Sequence, residues 1–294
     1  MVGKVVISFF QALRPKQWIE NVLIFVALVF SKNLLHPAML LKTVAGFGLF
    51  CMLSGAVYVL NDILDLESDR RHPSKRNRPL ASGRLPMWAA LAGAVLLPGA
   101  ALPLGLVLSP AFGAVSLVYY CLFLAYSLGA KRVVIIDVII VSLAYVLRAI
   151  AGAELIGVPI SSWLLLCTTF LALFVTLGKR RHELVLLGEG SASHRRSLQD
   201  YSLQFLDQMI AVATASSVIT YALYTVCEET VAKFGTRNLL LTLPFVVYGI
   251  FRYTYLVHIR NLGGSPEQIF ISDLPMMGNL VLWGVAVVVV LYLR

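Results

Sequence analysis

An acidic and then basic sequence, NDILDLESDRRHPSKRNRPLASG, occupies residues 61–83 and directly follows an apolar run at 39–60. If the helix continues through its first part, Asn61, Asp65 and Asp69 lie at positions i, i+4 and i+8. Asp62 lies three residues before Asp65 and seven before Asp69, so four oxygen-bearing side chains share one face. Such crowded carboxylates repel one another, and Mg²⁺, which proteins bind through a few carboxylates together with substrate phosphates, would neutralise them. The spacing therefore predicts that all four residues bind Mg²⁺.

The basic part of the same stretch supplies cations next to this acidic face. Lys75, Arg76 and Arg78 follow on the next turn, where they can take the phosphate oxygens that the metal leaves free. We expect Lys75 and Arg78 to bind substrate phosphates. The alternative is a solvated, salt-bridged loop at a membrane surface. An acidic face at a rim where basic residues are preferred favours the functional interpretation.

The composition indicates a protein that spans a membrane. The chain of 294 residues is 59% hydrophobic and 13% charged, a balance that is unusual for a water-soluble domain. A helix needs about 20 apolar residues to cross a bilayer. The apolar runs do not alternate with polar residues, which excludes a β-barrel. We expect an all-α, polytopic fold in one integral-membrane catalytic domain, residues 1–294. Nine spans are predicted, at 18–33, 39–60, 86–107, 110–128, 133–155, 161–178, 204–227, 238–258 and 275–293.

The distribution of basic residues predicts the orientation in the membrane. Assigning the breaks alternately to two sides places 18 of the 24 Lys and Arg residues on the side that holds residues 61–83. Because basic loops are retained in the cytoplasm, the amino terminus is predicted inside, the carboxyl terminus outside, and the active site at the cytoplasmic face of the inner (plasma) membrane. The net charge of +9 lies mainly in two loops that also carry carboxylates. This favours a phosphate-bearing substrate over nucleic acid, and part of the excess suits anionic lipid headgroups.

The motif NDxxDxxxD followed by HPxKRxRPxASG, after the second predicted span, resembles the UbiA superfamily of intramembrane prenyltransferases. The resemblance extends over essentially the whole chain and includes LRPKQW at 13–18 and YSLGAK at 126–131. It implies a bundle of nine helices that encloses a lipid-facing chamber, with the aspartate-rich motif binding Mg²⁺ and diphosphate. On this basis Asp62, Asp65 and Asp69 are expected to be catalytic, with Asp65 and Asp69 as direct metal ligands. Lys75 and Arg78 are expected to bind the diphosphate.

The chain departs from the superfamily pattern in the loop after the sixth predicted span. Members that use prenyl diphosphates carry a second acidic motif, DxxxD, at this place, whereas the sequence here is LGKRRHEL at 177–184. Only Glu183 is acidic. A basic loop suits a donor with a phosphate beyond its diphosphate, such as 5-phosphoribosyl diphosphate.

Four segments together resemble one branch of the superfamily, the decaprenyl-phosphate phosphoribosyltransferases. They are RPKQW at 14–18, the 126–131 turn, residues 134–152 and KRRHEL at 179–184. The resemblance implies transfer of 5-phosphoribose from phosphoribosyl diphosphate to a polyprenyl phosphate lipid, with release of diphosphate. This reaction leads to decaprenylphosphoryl arabinose for cell-wall arabinan. An oligomer is compatible with the sequence.

The remaining basic residues near the rim are candidates for binding the two substrates. The expected ligands of the donor's 5-phosphate or ribose hydroxyls are Lys179, Arg180 and Glu183. Those of the lipid phosphate are Arg14, Lys16 and Lys131, and the two sets of roles are interchangeable.

Three polar residues inside or beside predicted spans allow two interpretations each. Arg148 needs either a partner within the bundle or a watery chamber, and Asp137, eleven residues earlier, lies on a similar face. The pair either bounds one substrate chamber or forms structural contacts with other helices. Tyr126 either reaches a donor phosphate or anchors its helix at the interface.

Two other functions compete with the phosphoribosyltransferase interpretation. A prenyltransferase that moves an isoprenoid to an aromatic or lipid acceptor would use the same first motif, but the basic loop at 177–184 argues against it. A transporter of a phosphorylated solute would place its binding groups near the midplane of the membrane. In this sequence the charged groups gather at one rim.

Overall fold

The computed structural model describes residues 2–73, 75–187, 196–264 and 266–293, and within them all regular structure is helical. This confirms the all-α prediction. The α-helices are α1 (Val2–Ala12), α2 (Phe25–Phe30), α3 (Pro37–Leu64), α4 (Leu66–Arg71), α5 (Met87–Leu108), α6 (Pro110–Leu128), α7 (Ile136–Ile156), α8 (Ser162–Leu187), α9 (Leu203–Val226), α10 (Glu228–Phe234), α11 (Leu243–His258), α12 (Pro266–Ser272) and α13 (Leu274–Tyr292). Short 3₁₀ helices cover Pro15–Ile24, Lys75–Asn77, Ala130–Arg132, Arg196–Asp200 and Asn238–Thr242.

Eight helices in the described part of the chain are long and apolar enough to cross a membrane. They are α3, α5, α6, α7, α8, α9, α11 together with the 3₁₀ turn before it, and α13. Their outward faces carry exposed aliphatic side chains, as at Val95, Leu96 and Val107, which only a lipid solvent accommodates in such number. The chain is therefore a multi-pass membrane protein.

The first predicted span, residues 18–33, is not a single α-helix, so the count of nine is not confirmed. Its first part is the 3₁₀ helix Pro15–Ile24 and its second part is the six-residue α2. A 3₁₀ helix rises about 2.0 Å per residue, so this pair covers roughly 30 Å, close to the thickness of the bilayer core. At its start Arg14 contacts Asp62 of α3, and just beyond its end the Leu34 amide donates to the Tyr292 hydroxyl of α13. The segment thus passes from one end of the bundle to the other.

The 3₁₀ helix lies inside the bundle, against α3 and α7. Asn21 and Ile24 are fully buried, and the Ile24 carbonyl approaches Gly152 of α7 so closely that a Cβ at that glycine would clash with it. The small residue therefore permits the close approach of the two backbones. This arrangement directs the polar face of the 3₁₀ helix toward α3, α7 and α8, where the candidate site lies.

Candidate active site

The aspartate-rich motif does not continue as one uninterrupted helix. Helix α3 ends at Leu64 and α4 begins at Leu66, with Asp65 at the junction (φ −99°, ψ 9°). The Asp65 amide still donates to the Asn61 carbonyl at 2.9 Å, and the Asp69 amide donates to the Asp65 carbonyl at 2.8 Å. The prediction that all four side chains share one face was therefore only partly right.

Two of the aspartates converge on one arginine. Asp62 and Asp69 are each 3% exposed, and the Arg78 guanidinium donates to both, at 3.1 Å and 2.5 Å. Arg14 donates to the same Asp62 oxygen at 2.5 Å. Burying a carboxylate is costly unless it is paired, and these two arginines supply the pairing. The basic half of the motif thus folds back onto its acidic half.

The third aspartate lies in a separate contact. The Lys131 ammonium lies 2.6 Å and 2.7 Å from the two oxygens of Asp65, so this carboxylate faces the α6–α7 connection. Within the described ranges, no three Asp, Glu, His or Cys side chains are placed together as a metal-binding group. The expected single cluster of carboxylates is therefore divided between Arg78 and Lys131.

The oxygens of the motif nevertheless fit Mg²⁺. Among the described residues, Asn61 Oδ1 and Asp62 Oδ2 are buried without a hydrogen-bond partner. Such atoms are costly to leave unpaired. Mg²⁺ is a hard cation that commonly takes one or two carboxylates from the protein and its other ligands from phosphate and water. The two unpartnered oxygens, with Asp65 and Asp69 nearby, meet that requirement.

Burial affects the protonation of one of these carboxylates. Desolvation raises the pKa of Asp69 above its usual value, and the neighbouring Arg78 opposes this effect. Arg78 therefore favours the ionised form that a metal ligand requires.

The 3₁₀ helix Pro15–Ile24 continues the site into the bundle. Its 3.0 residues per turn eclipse side chains three apart, which aligns Gln17 with Glu20, and Arg14 precedes the helix in the left-handed conformation (φ 54°, ψ 63°). Arg14 contacts Asp62 and lies over the Tyr58 ring at 4.7 Å, and the Tyr58 hydroxyl donates to Glu20 at 3.4 Å. A continuous polar path thus leads from the motif to Glu20. Lys16, between these residues in sequence, is exposed.

Arg148 and Lys179 meet at Glu20. The Arg148 guanidinium donates to Glu20 at 3.2 Å, to Asn21 at 2.8 Å and to the Tyr119 hydroxyl at 3.1 Å. Lys179 Nζ lies 3.4 Å from the other Glu20 oxygen. Arg148, which is 1% exposed, therefore has its partner within the bundle.

Asp137 does not pair with Arg148. Its buried carboxylate accepts from Arg180 Nε and from the Tyr201 hydroxyl, both at 2.8 Å. Arg180 also donates to Glu183 at 2.8 Å and to the Tyr126 hydroxyl at 3.2 Å. The two residues of α7 thus belong to different networks, and the binding of a substrate by Arg148 stays a prediction. Tyr126 is 8% exposed, so its ring is not an interfacial anchor.

Sequence reasoning missed Gln17, Glu20 and Tyr58. The signal was present: a glutamate inside an otherwise apolar predicted span needs a partner.

Comparison with known proteins identifies relatives over most of the chain. The model of the UbiA prenyltransferase family matches residues 21–274. A protein named decaprenyl-phosphate phosphoribosyltransferase from Mycobacterium tuberculosis is 35% identical over 267 residues, which cover 90% of this chain and 87% of that protein. A protein of the same name from Corynebacterium glutamicum is 33% identical over 288 residues, covering 96% of this chain and 86% of that protein.

The fold also resembles that of solved structures. A UbiA homologue from Archaeoglobus fulgidus, solved with DMAPP and Mg²⁺, superposes with a TM-score of 0.71 over 98% of this chain and 100% of that one, at 18% identity. At this identity the likeness concerns the fold. Together with the match to the family model, it leads to one conclusion: the chain belongs to the UbiA prenyltransferase family.

Proposed function

We propose that the protein transfers 5-phosphoribose from 5-phosphoribosyl 1-diphosphate to decaprenyl phosphate or a similar polyprenyl phosphate, releasing diphosphate, in the synthesis of arabinan precursors. The observation that carries this proposal is the interleaving of Asp62, Asp65 and Asp69 with Arg14, Arg78 and Lys131. In such a site the carboxylates can bind a metal ion, and the basic residues can bind the diphosphate that carries it. The names and identities of the two bacterial relatives support the choice of substrates.

Asn61, Asp62, Asp65 and Asp69 would hold Mg²⁺ through their oxygens. Bound Mg²⁺ would withdraw charge from the diphosphate and so stabilise it as a leaving group. The protein's own contribution is to place cations around the same group. Arg78 and Lys131 would exchange carboxylate oxygens for diphosphate oxygens, and Lys75, at the start of the 3₁₀ turn before Arg78, lies on the same stretch.

The remaining basic residues are assigned either to the 5-phosphate of the donor or to the phosphate of the lipid acceptor. We assign Lys179 to the 5-phosphate, because its ion pair with Glu20 in the described part of the chain is long, at 3.4 Å, and an anion can displace it. Arg180 and Glu183 would then support the helix end that carries Lys179, since the Arg180 guanidinium is engaged by two carboxylates. Arg14 and the exposed Lys16 are proposed to receive the lipid phosphate.

The acceptor needs little activation by the protein. A lipid phosphate is already anionic at neutral pH, so the reaction requires orientation and charge stabilisation more than a strong base. Its tail can remain between helices in the bilayer while its head reaches the rim. We place that rim at the cytoplasmic face of the inner membrane, with the amino terminus inside the cell, because the basic residues gather there.

A transfer assay with purified full-length protein in detergent tests this function. Radiolabelled phosphoribosyl diphosphate and decaprenyl phosphate are incubated with and without Mg²⁺, and label is followed into the organic phase. Geranylgeranyl diphosphate with an aromatic acceptor runs in parallel. We expect Mg²⁺-dependent lipid label from the first reaction. Product from the parallel reaction alone would establish prenyl transfer instead.

A further inference from the structure

Helix α12 brings a buried carboxylate onto the polar face of the 3₁₀ helix. Glu267, which is 7% exposed, accepts from the Gln17 side-chain amide at 3.4 Å through its Oε1 atom. Gln17 lies one 3₁₀ turn, about 6 Å along the helix, from Glu20, and its backbone amide donates to the Arg14 carbonyl at 2.9 Å. The two residues therefore stand between the aspartate-rich motif and Lys179.

Three oxygen atoms at this place lack hydrogen-bond partners within the described segments. They are Gln17 Oε1, Glu267 Oε2 and the Tyr253 hydroxyl, and Tyr253 is only 2% exposed. A buried polar atom without a partner is unfavourable, and native structures keep few of them without a reason such as a ligand. Three in one neighbourhood indicate that a polar ligand belongs there.

The surroundings define the chemistry of that ligand. Lys179 interacts electrostatically with Glu267 and Tyr253 as well as with Glu20, so its ammonium already supplies positive charge and disfavours a second cation. The amide and carboxylate oxygens need hydrogen-bond donors, whereas the phenol can donate. A hydroxyl group donates and accepts at once, so a molecule with several hydroxyls satisfies all three atoms.

We infer that Gln17, Tyr253 and Glu267 form a binding subsite for the hydroxyl groups of a sugar, placed between the diphosphate site and Lys179. This inference rests on the proposed function and deepens it, because the ribose of the donor is the sugar that would bind. A prenyl chain has no hydroxyl to offer these atoms. The subsite would therefore favour a phosphosugar donor over an isoprenoid one, since unpaired buried polar groups reject an analogue that lacks the matching hydroxyl.

Two conservative variants test the subsite, each with a matched control. Gln17→Met removes the amide and Tyr253→Phe removes only the hydroxyl, while the rings that pack on Tyr253, Phe174 and Phe270, are retained. The controls are Gln268→Met, at an exposed position next to Glu267, and Tyr255→Phe, whose hydroxyl contacts the exposed Arg260.

We expect each subsite variant to raise the KM for phosphoribosyl diphosphate about five- to a hundredfold, the range for one lost buried hydrogen bond. The KM for decaprenyl phosphate and inhibition by inorganic diphosphate should stay unchanged, because neither ligand carries a ribose. The two controls should behave as wild type. A uniform loss of affinity for all three ligands would overturn the inference in favour of a structural role.

Donor analogues give a second test, whose first comparison uses the wild-type protein alone. The 2-deoxy and 3-deoxy forms of the donor should bind wild-type protein more weakly, and at least one should lose no further affinity in Gln17→Met or Tyr253→Phe. Full additivity of the two losses would contradict direct contact. Absence of any ribose transfer by the wild type would instead refute the proposed function, so the two failures are distinguishable.

Discussion

Lys131 forms an ion pair with Asp65 of the aspartate-rich motif, with its ammonium 2.6 Å and 2.7 Å from the two carboxylate oxygens. The lysine is 15% exposed and comes from the 3₁₀ turn between α6 and α7. A monovalent cation on both oxygens of an expected metal ligand holds that carboxylate in place and balances its charge. The α6–α7 connection is therefore part of the site.

Replacing Lys131 by Met should lower kcat/KM about 10- to 100-fold, because a charged hydrogen-bonding partner of both Asp65 and the incoming diphosphate is lost. Steady-state kinetics with varied donor measure the effect. The neighbouring Arg132→Met is the control, since Arg132 is exposed. Equal loss in both variants would show that general positive charge, and not this contact, is what matters.

Replacing Asp69 by Asn should reduce turnover by about 100-fold or more while the protein still elutes as a folded species in detergent. The reason is that the amide cannot balance the charge of Mg²⁺ and Arg78. Glu67→Gln is the matched control, because that carboxylate is 73% exposed and pairs with the exposed Arg70. Wild-type activity in Asp69→Asn would refute the metal assignment.

The raised pKa of Asp69 predicts a pH dependence of stability in the presence of a metal chelator. Between the unfolded value of 3.8 and the higher folded value, the native state binds a proton that the unfolded chain releases. The Asp69 contribution to the free energy of unfolding should therefore fall as pH rises through this window. Thermal unfolding of Asp69→Asn should lack this component, and Arg78→Met should extend it to higher pH. An unchanged profile in both variants would contradict this role of burial.

Replacing Arg180 by Met should lower stability by about 3–5 kcal/mol, because it breaks the buried ion pair between Arg180 and the fully buried Asp137. Arg181→Met is the natural comparison. Its partner Asp207 is 41% exposed, and pairs of this kind contribute about 1 kcal/mol or less. Unfolding in denaturant measures both. Similar small losses, together with a raised donor KM in Arg180→Met, would return Arg180 to the set of substrate ligands.

Much of the fold could be predicted from the sequence because lipid offers the backbone no hydrogen-bond partners. Long apolar runs without alternation can satisfy their backbone only as helices, and eight of the nine expected spans are present as such. The segment 18–33 differs because 3₁₀ geometry depends on packing against α3 and α7, which spacing alone does not reveal. Its consequence, the polar face that carries Gln17 and Glu20, was missed for the same reason.

The site was predictable where its chemistry is local in sequence. Asn61 to Arg78 lie within one short stretch, and the structure joins Asp62 and Asp69 through Arg78. The pairing of Lys131 with Asp65 and of Arg180 with Asp137 depends on the tertiary arrangement of α6, α7 and α8. A list of charged residues could not show which cation neutralises which carboxylate.

The most direct test of the proposed reaction follows three labels through one turnover. Phosphoribosyl diphosphate is prepared with ¹⁴C in the ribose, and separately with ³²P in the 5-phosphate or in the diphosphate, and each is incubated with decaprenyl phosphate, Mg²⁺ and purified protein. We predict that ribose carbon and 5-phosphate enter the lipid in equal amounts, while the diphosphate label stays in water. Entry of the diphosphate label into the lipid would contradict phosphoribosyl transfer. A lipid fraction that contains none of the three labels would contradict it as well.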